Sequence, residues 1–110
     1  MAGDELGGGE VRQRLLRRSA HVLVLMLGRH AGLPVLTWTV TPELLRGHAD
    51  VCDLDAGCDR QVFTVWADAL PASEGCDPVP VLDEWGVTRL RANRRFSGVP
   101  VVLTAVVHPF

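Results

Sequence analysis

The sequence predicts a single α+β domain in which four strands make an antiparallel sheet and two helices pack on one of its faces, in the order αββαββ. Three observations predict it. The chain has 110 residues, enough to bury one core and too few for two. Two segments place apolar residues on one helical arc, and between and after them lie stretches that alternate apolar and polar residues. A hydrophobic content of 47% with 22% charged residues is that of a globular chain, which argues against disorder or a disulfide scaffold.

Residues 1–8 (MAGDELGG) read as a flexible N-terminal tail, and residues 9–110 as the domain. From about Gly9 to Arg29, Val11, Leu15, Leu16, Val22, Leu23, Met26 and Leu27 share a broad arc, with Arg14, Arg17, Arg18 and His21 opposite. Gly28 to Gly32 and then Pro34 end this first helix. Val24 and Leu25 fall on its polar arc, so they predict either a deeper burial of the helix end or an apolar strip offered to a partner.

LTWTVT (36–41) alternates strictly, Leu36, Trp38 and Val40 against Thr37, Thr39 and Thr41, and predicts a half-buried strand. After the Pro42-Glu43 turn, residues 44–52 predict a second strand with Leu45, Gly47, Ala49 and Val51 inward and Arg46, His48 and Asp50 outward. Asp53 to Cys58 reads as a loop in which Asp55 or Asp59 caps the next helix. In RQVFTVWADAL, Val62, Phe63, Trp66 and Leu70 lie within about 100° of arc, and Pro71 ends the helix. Residues 71–84 carry three Pro and four acids and read as a surface loop. GVTRLRANRRF and VPVVLTAVVHP predict a hairpin turning at Ser97 and Gly98. Leu90 and Ala92 point inward in its first strand, and Arg89, Arg91, Asn93 and Arg95 outward. Its second strand is apolar almost throughout, which suits a central strand.

With both helices on one face, nothing in the chain is left to cover the other. That open face would carry Thr37, Thr39, Arg46, His48, Asp50, Arg89, Arg91 and Arg95. The net charge of −2 conceals a segregation: residues 1–41 carry +2, residues 42–84 carry −8 and residues 85–110 carry +4. The acidic middle counts against a general nucleic-acid binder, whose domain is usually basic. Lys, Ile and Tyr are absent and Asn occurs once; their codons are AT-rich, so a GC-rich genome accounts for an all-arginine cation set.

The apolar run HVLVLML (21–27) is too short for a bilayer span, which needs about 20 residues. Acids precede it and no small-residue cleavage site follows promptly, so a cytoplasmic chain without a signal is expected.

HADVCDLDAGCD (48–59) poses the question of a metal. His48, Cys52, Cys58 and Cys76 have the donor types of a zinc site. Four residue steps along a strand put His48 and Cys52 about 13 Å apart, and no CxxC knuckle is present. Ordinary cysteines are the expectation, and no metal or cofactor is assigned. The Cys52–Cys58 and Cys58–Cys76 disulfides are disfavoured in a reducing compartment. Calcium is not expected, because the twelve-residue spacing and closing Glu of an EF-hand are missing. The same 13 Å keeps Cys52 from His48 as nucleophile and base, and a Cys76 with His108 pairing has nothing to support it. The chain is therefore expected not to be an enzyme.

Arg89, Arg91, Arg94 and Arg95 can pair with phosphate, but no aromatic accompanies them outward as in sheet-based RNA readers. Pairing of Arg89 and Arg91 with Asp50 or Glu43 across strands is the simpler expectation.

LPVLTWTVTP, RQVFTVWADAL and GVTRLRANRRFSGVPVVLTAVV together resemble the layout of small uncharacterised α+β proteins of actinobacteria, over roughly residues 30–107. That resemblance implies no activity. The element order is also similar to secretion-chaperone-like domains, which implies dimerisation and binding of other proteins. The expected function is a non-enzymatic protein-interaction or regulatory domain, homo-oligomeric, acting through Val24, Leu25, Thr37, Thr39, Arg89, Arg91 and Arg95. A nucleic-acid-associated regulator using Arg89, Arg91 and Arg95 is the alternative, and a zinc-dependent module the third.

Overall fold

A computed structural model of the chain describes residues 2–49, 56–72, 77, 79–82 and 84–107, with side chains from Gly9 onward in the first helix and from Asp59 onward in the second. The elements are α1 (Ala2–Arg29), β1 (Thr37–Val40), β2 (Leu45–Ala49), α2 (Ala56–Ala69), β3 (Val81–Leu82), β4 (Thr88–Phe96) and β5 (Val99–Val107). They build one five-stranded sheet in the order β1-β2-β5-β4-β3.

The mixed α+β character stands, but two features correct the four-stranded antiparallel expectation. A fifth strand, β3, lies inside the Pro-rich stretch read as a loop; with two residues next to Pro80 it is too short to show alternation. In addition, β5 enters between β2 and β4 and runs parallel to β2. The chain between β2 and β5 includes α2, which gives it the length a parallel crossover needs. The apolar run of β5 does belong to the central strand.

The β1–β2 turn is closed by Thr41. Its amide N–H donates to the Leu44 carbonyl at 3.0 Å; its hydroxyl donates to that carbonyl at 2.9 Å and accepts the Leu44 N–H at 3.0 Å. Ser97 and Gly98 make the β4–β5 turn with φ of 50° and 81°, the positive pair that a two-residue turn of matching twist requires.

Register sorts the strands into two faces. One inner rung runs Trp38, Gly47, Leu103, Ala92, and Leu45, Val101 and Arg94 lie along another. These residues, Gly47 and Arg94 excepted, join the helices in one core with Trp66, Val62, Leu70, Val22 and Met26. Trp66 is almost wholly buried. Its indole N–H donates to the Pro34 carbonyl at 2.6 Å, and its ring meets Trp38 edge-on at 5.4 Å between centroids. The ring contact joins α2 to β1, and the Pro34 carbonyl gives the Trp66 indole N–H the partner a buried tryptophan needs.

On α1, Ser19, Val22 and Met26 are the buried stripe, as their three- and four-residue spacing allows. Val11, Leu15 and Leu16 share the apolar arc yet stay exposed, so the core covers only the later half of the helix. α2 begins at Ala56, which makes Asp59 a first-turn acid instead of a cap; Asp55 lies outside the described residues.

The inner face also holds Arg94, 9% exposed. Its Nε–H donates to the Ala67 carbonyl at 2.7 Å, one of the carbonyls that the end of α2 leaves unpaired. One terminal nitrogen donates to Asp77 Oδ1 at 2.7 Å and to its neighbour Asn93's carbonyl at 2.9 Å. Asp77 Oδ1 also accepts the Asn93 N–H at 3.1 Å, and the Arg95 N–H reaches the Pro71 carbonyl at 3.1 Å. The Arg94 guanidinium holds the Asp77 carboxyl below the ordinary aspartate range. This cluster ties the end of α2 and the following segment along β4, beyond the point where β3 pairs with it.

Candidate functional site

The sheet's second face carries neither helix: Val102, Thr104 and Val106 point away from the core that contains Val101, Leu103 and Ala105. Alternation fixes what it presents. On β4 it shows Arg89, Arg91, Asn93 and Arg95, on β2 Arg46 and His48, and on β1 Thr37 and Thr39. Between β2 and β4, β5 contributes Pro100, Val102, Thr104 and Val106.

Three rungs give the geometry. Thr37, His48, Thr104 and Arg91 stand side by side, next to Thr39, Arg46, Val102 and Asn93; Val81, Arg89 and Val106 make a third. Neighbouring strands are about 4.8 Å apart, so the arginines of β4 and Arg46 with His48 on β2 form two rails about 10 Å apart, over a β5 floor in which Pro100 is exposed, Thr104 and Val106 are half-buried and Val102 is buried. His48 Nδ1 and Thr104 Oγ1 are 2.8 Å apart, which fixes the ring across the floor. Around Arg89 and Arg91 the face deepens into a groove of about 430 Å³, lined also by Val79, Val81, Thr104 and Val106.

The expected pairing of Arg89 and Arg91 with Glu43 is corrected by the strand order. β5 stands between β2 and β4, and Glu43 instead lies 3.6 Å from Arg12 on α1. Asp50 lies outside the described residues. Among the described residues, no carboxylate forms an ion pair with Arg46, Arg89, Arg91 or Arg95. Arg94, fourth in the sequence cluster, is not on this face: its parity is that of Leu90 and Ala92, and Asp77 holds it inside.

The structure thus brings Thr37, Thr39, Arg89, Arg91 and Arg95 together and leaves Val24 and Leu25 on α1, in the helical layer. Val24 is 66% and Leu25 49% exposed, so the helix end is not deeply buried. Leu25 faces a cleft of about 650 Å³ between α1, the end of α2 and the β4–β5 hairpin, which Arg29, His30, Phe96 and the chain at Arg95 also line. His30 is held there edge-on to Trp66 and Phe96.

Of the zinc candidates, Cys52 and Cys76 lie outside the described residues, as does the side chain of Cys58. Among the described residues no three His, Cys, Asp or Glu side chains cluster. The partner proposed for Cys76, His108, is likewise outside them. No described helix is long and apolar enough to cross a membrane. What sequence reasoning missed is the floor. Val102 and Val106 sit in an apolar run whose two faces cannot be told apart by pattern, and only β5's central place puts them between the rails.

No family model matches the chain, and neither a curated protein nor a solved structure matches it.

Proposed function

We propose that the protein is a non-enzymatic binding module that engages an anionic protein surface through the open sheet face. The observation that carries this reading is the pair of arginine-bearing rails, without a described acidic partner, flanking a largely aliphatic strand of Pro100, Val102, Thr104 and Val106. Arginine pairs with carboxylates in two-pronged fashion and is enriched where proteins meet. The His48–Thr104 contact provides no described acid to orient the imidazole, so it reads as a fixed rung of the surface and not as a nucleophile with its base. Self-association through this face is disfavoured by charge: a two-fold dimer would set like rails against each other. The Val24 and Leu25 strip on α1 is the surface assigned to it.

Arg91→Glu tests the reading, since it reverses a charge in mid-face without touching the core. The variant is expected to unfold within about 0.5 kcal/mol of the wild type and to bind polyglutamate about tenfold more weakly. Equal binding by variant and wild type would overturn it. A second reading, a nucleic-acid-associated regulator, is favoured by the row Arg89, Arg91 and Arg95 on one strand face. It predicts binding of single-stranded DNA that falls steeply with salt. It ranks second because no aromatic stands among the outward residues of β1, β2, β4 or β5, where base stacking would need one.

A further inference from the structure

The rails and floor limit the shape of what fits, and this deepens the reading above, on which it rests. We propose that the open face receives an acidic amphipathic helix of a protein partner, laid along β5. An extended peptide turns only alternate side chains toward a sheet, in a single line. It would meet the floor or one rail but not all three together. A helix presents an apolar stripe with a flank on each side, and its diameter of about 10 Å matches the rail separation of about 10 Å given by two strand spacings. The floor from Pro100 to Val106 is about 20 Å long, the length of about 14 helical residues.

Charge decides the flanks. Arg46 and His48 stand on one side of the floor and Arg89 and Arg91 on the other, with no described carboxylate paired to these arginines. The matching helix carries Glu or Asp on both flanks of its apolar stripe. The floor decides against nucleic acid: Pro100, which is exposed, and Val106, which is half-buried, offer aliphatic surface where a base would need an aromatic ring, and Val102 between them is buried. Arginine stems reaching over the valines would add to the apolar surface while keeping the guanidinium groups at the rim.

The test is fluorescence anisotropy on the full chain with four labelled probes. They are a Glu/Leu peptide of about 14 residues with leucines at helical spacing, its scrambled isomer, polyglutamate of equal length, and oligo(dT). The striped peptide is expected to bind about tenfold tighter than the other three, to gain a helical circular dichroism signal on binding, and to weaken as salt rises. Arg91→Glu, Arg46→Glu and Val106→Asp should each weaken it about tenfold. Arg46→Glu keeps the test valid should Val106→Asp fail to fold. If the scrambled peptide or polyglutamate binds as tightly, still sensitive to Arg91→Glu, the helix proposal falls and the binding face stands. If oligo(dT) binds tightest with the same sensitivity, the partner is nucleic acid. If no probe responds to Arg91→Glu, the face itself is wrong.

Discussion

Gly47 is where one absent methyl group decides packing. A Cβ there would lie 2.9 Å from Leu36 Cδ1 and from two ring carbons of Trp38, closer than non-bonded carbons approach. Leu36 can rotate, but Trp38 is held against Trp66, so the strand must move. Gly47→Ala is expected to destabilise by about 1–3 kcal/mol, read from urea unfolding. Arg94 is the other decisive residue. Removing a buried guanidinium that supports the end of α2 and holds Asp77 should cost about 3 kcal/mol in Arg94→Ala. Asp77 is half-exposed, so Asp77→Asn should cost only about 1 kcal/mol. The sign with pH follows from the lowered carboxyl. Its contribution is present above the unfolded pKa and is lost as pH falls below about 4. Wild-type stability should therefore drop toward that of Asp77→Asn in acid, and parallel unfolding curves for the two proteins across that range would refute the assignment.

Among the elements, α1 divides at Ser19. Beyond it Val22 and Met26 enter the core, while before it Val11, Leu15 and Leu16 are exposed. Helices in water draw most of their stability from packing an apolar face, so amides ahead of Ser19 should exchange with deuterium about a hundredfold faster than those of Val22 to Met26. Equal protection along α1 would show that something covers its first half. The sequence made the face of each residue readable for β4, because alternation alone puts Arg89, Arg91 and Arg95 outward; Arg94 shares the parity of Leu90, and its type disguised its place. Pairing partners are a different matter. β2 is equally satisfied, as a pattern, beside β4 or β5, and the choice depends on contacts distant in sequence. For that reason the row of arginines was legible and the trough was not.

At the scale of the whole molecule, the extents are 54 × 33 × 29 Å, and the radius of gyration of 16.1 Å exceeds the roughly 13 Å expected of a compact chain this long. A helix of 28 residues measures about 42 Å and reaches past the sheet it packs on. Val24 and Leu25 on this helix are exposed and form the strip proposed above for self-association. Val24→Asp should leave unfolding within about 0.5 kcal/mol of wild type and turn a concentration-dependent sedimentation coefficient into that of a monomer. A wild-type protein already monomeric at high concentration would end that assignment. The sheet face and α1 present their surfaces on opposite sides of the sheet, so losing one contact should leave the other intact.

The central position of β5 also orders events during synthesis. A nascent chain translated as far as Phe96 contains β1 with β2 and β3 with β4 only as segments that the finished sheet joins through β5, and that strand has not been made. Until Val99–Val107 leaves the ribosome, Leu45 and Ala49 of β2 and Leu90 and Ala92 of β4 lack their cross-strand neighbours Val101, Leu103 and Ala105. Completion of this sheet therefore requires β5 to have been translated, and strand edges unpaired until then are the kind of surface that chaperones cover.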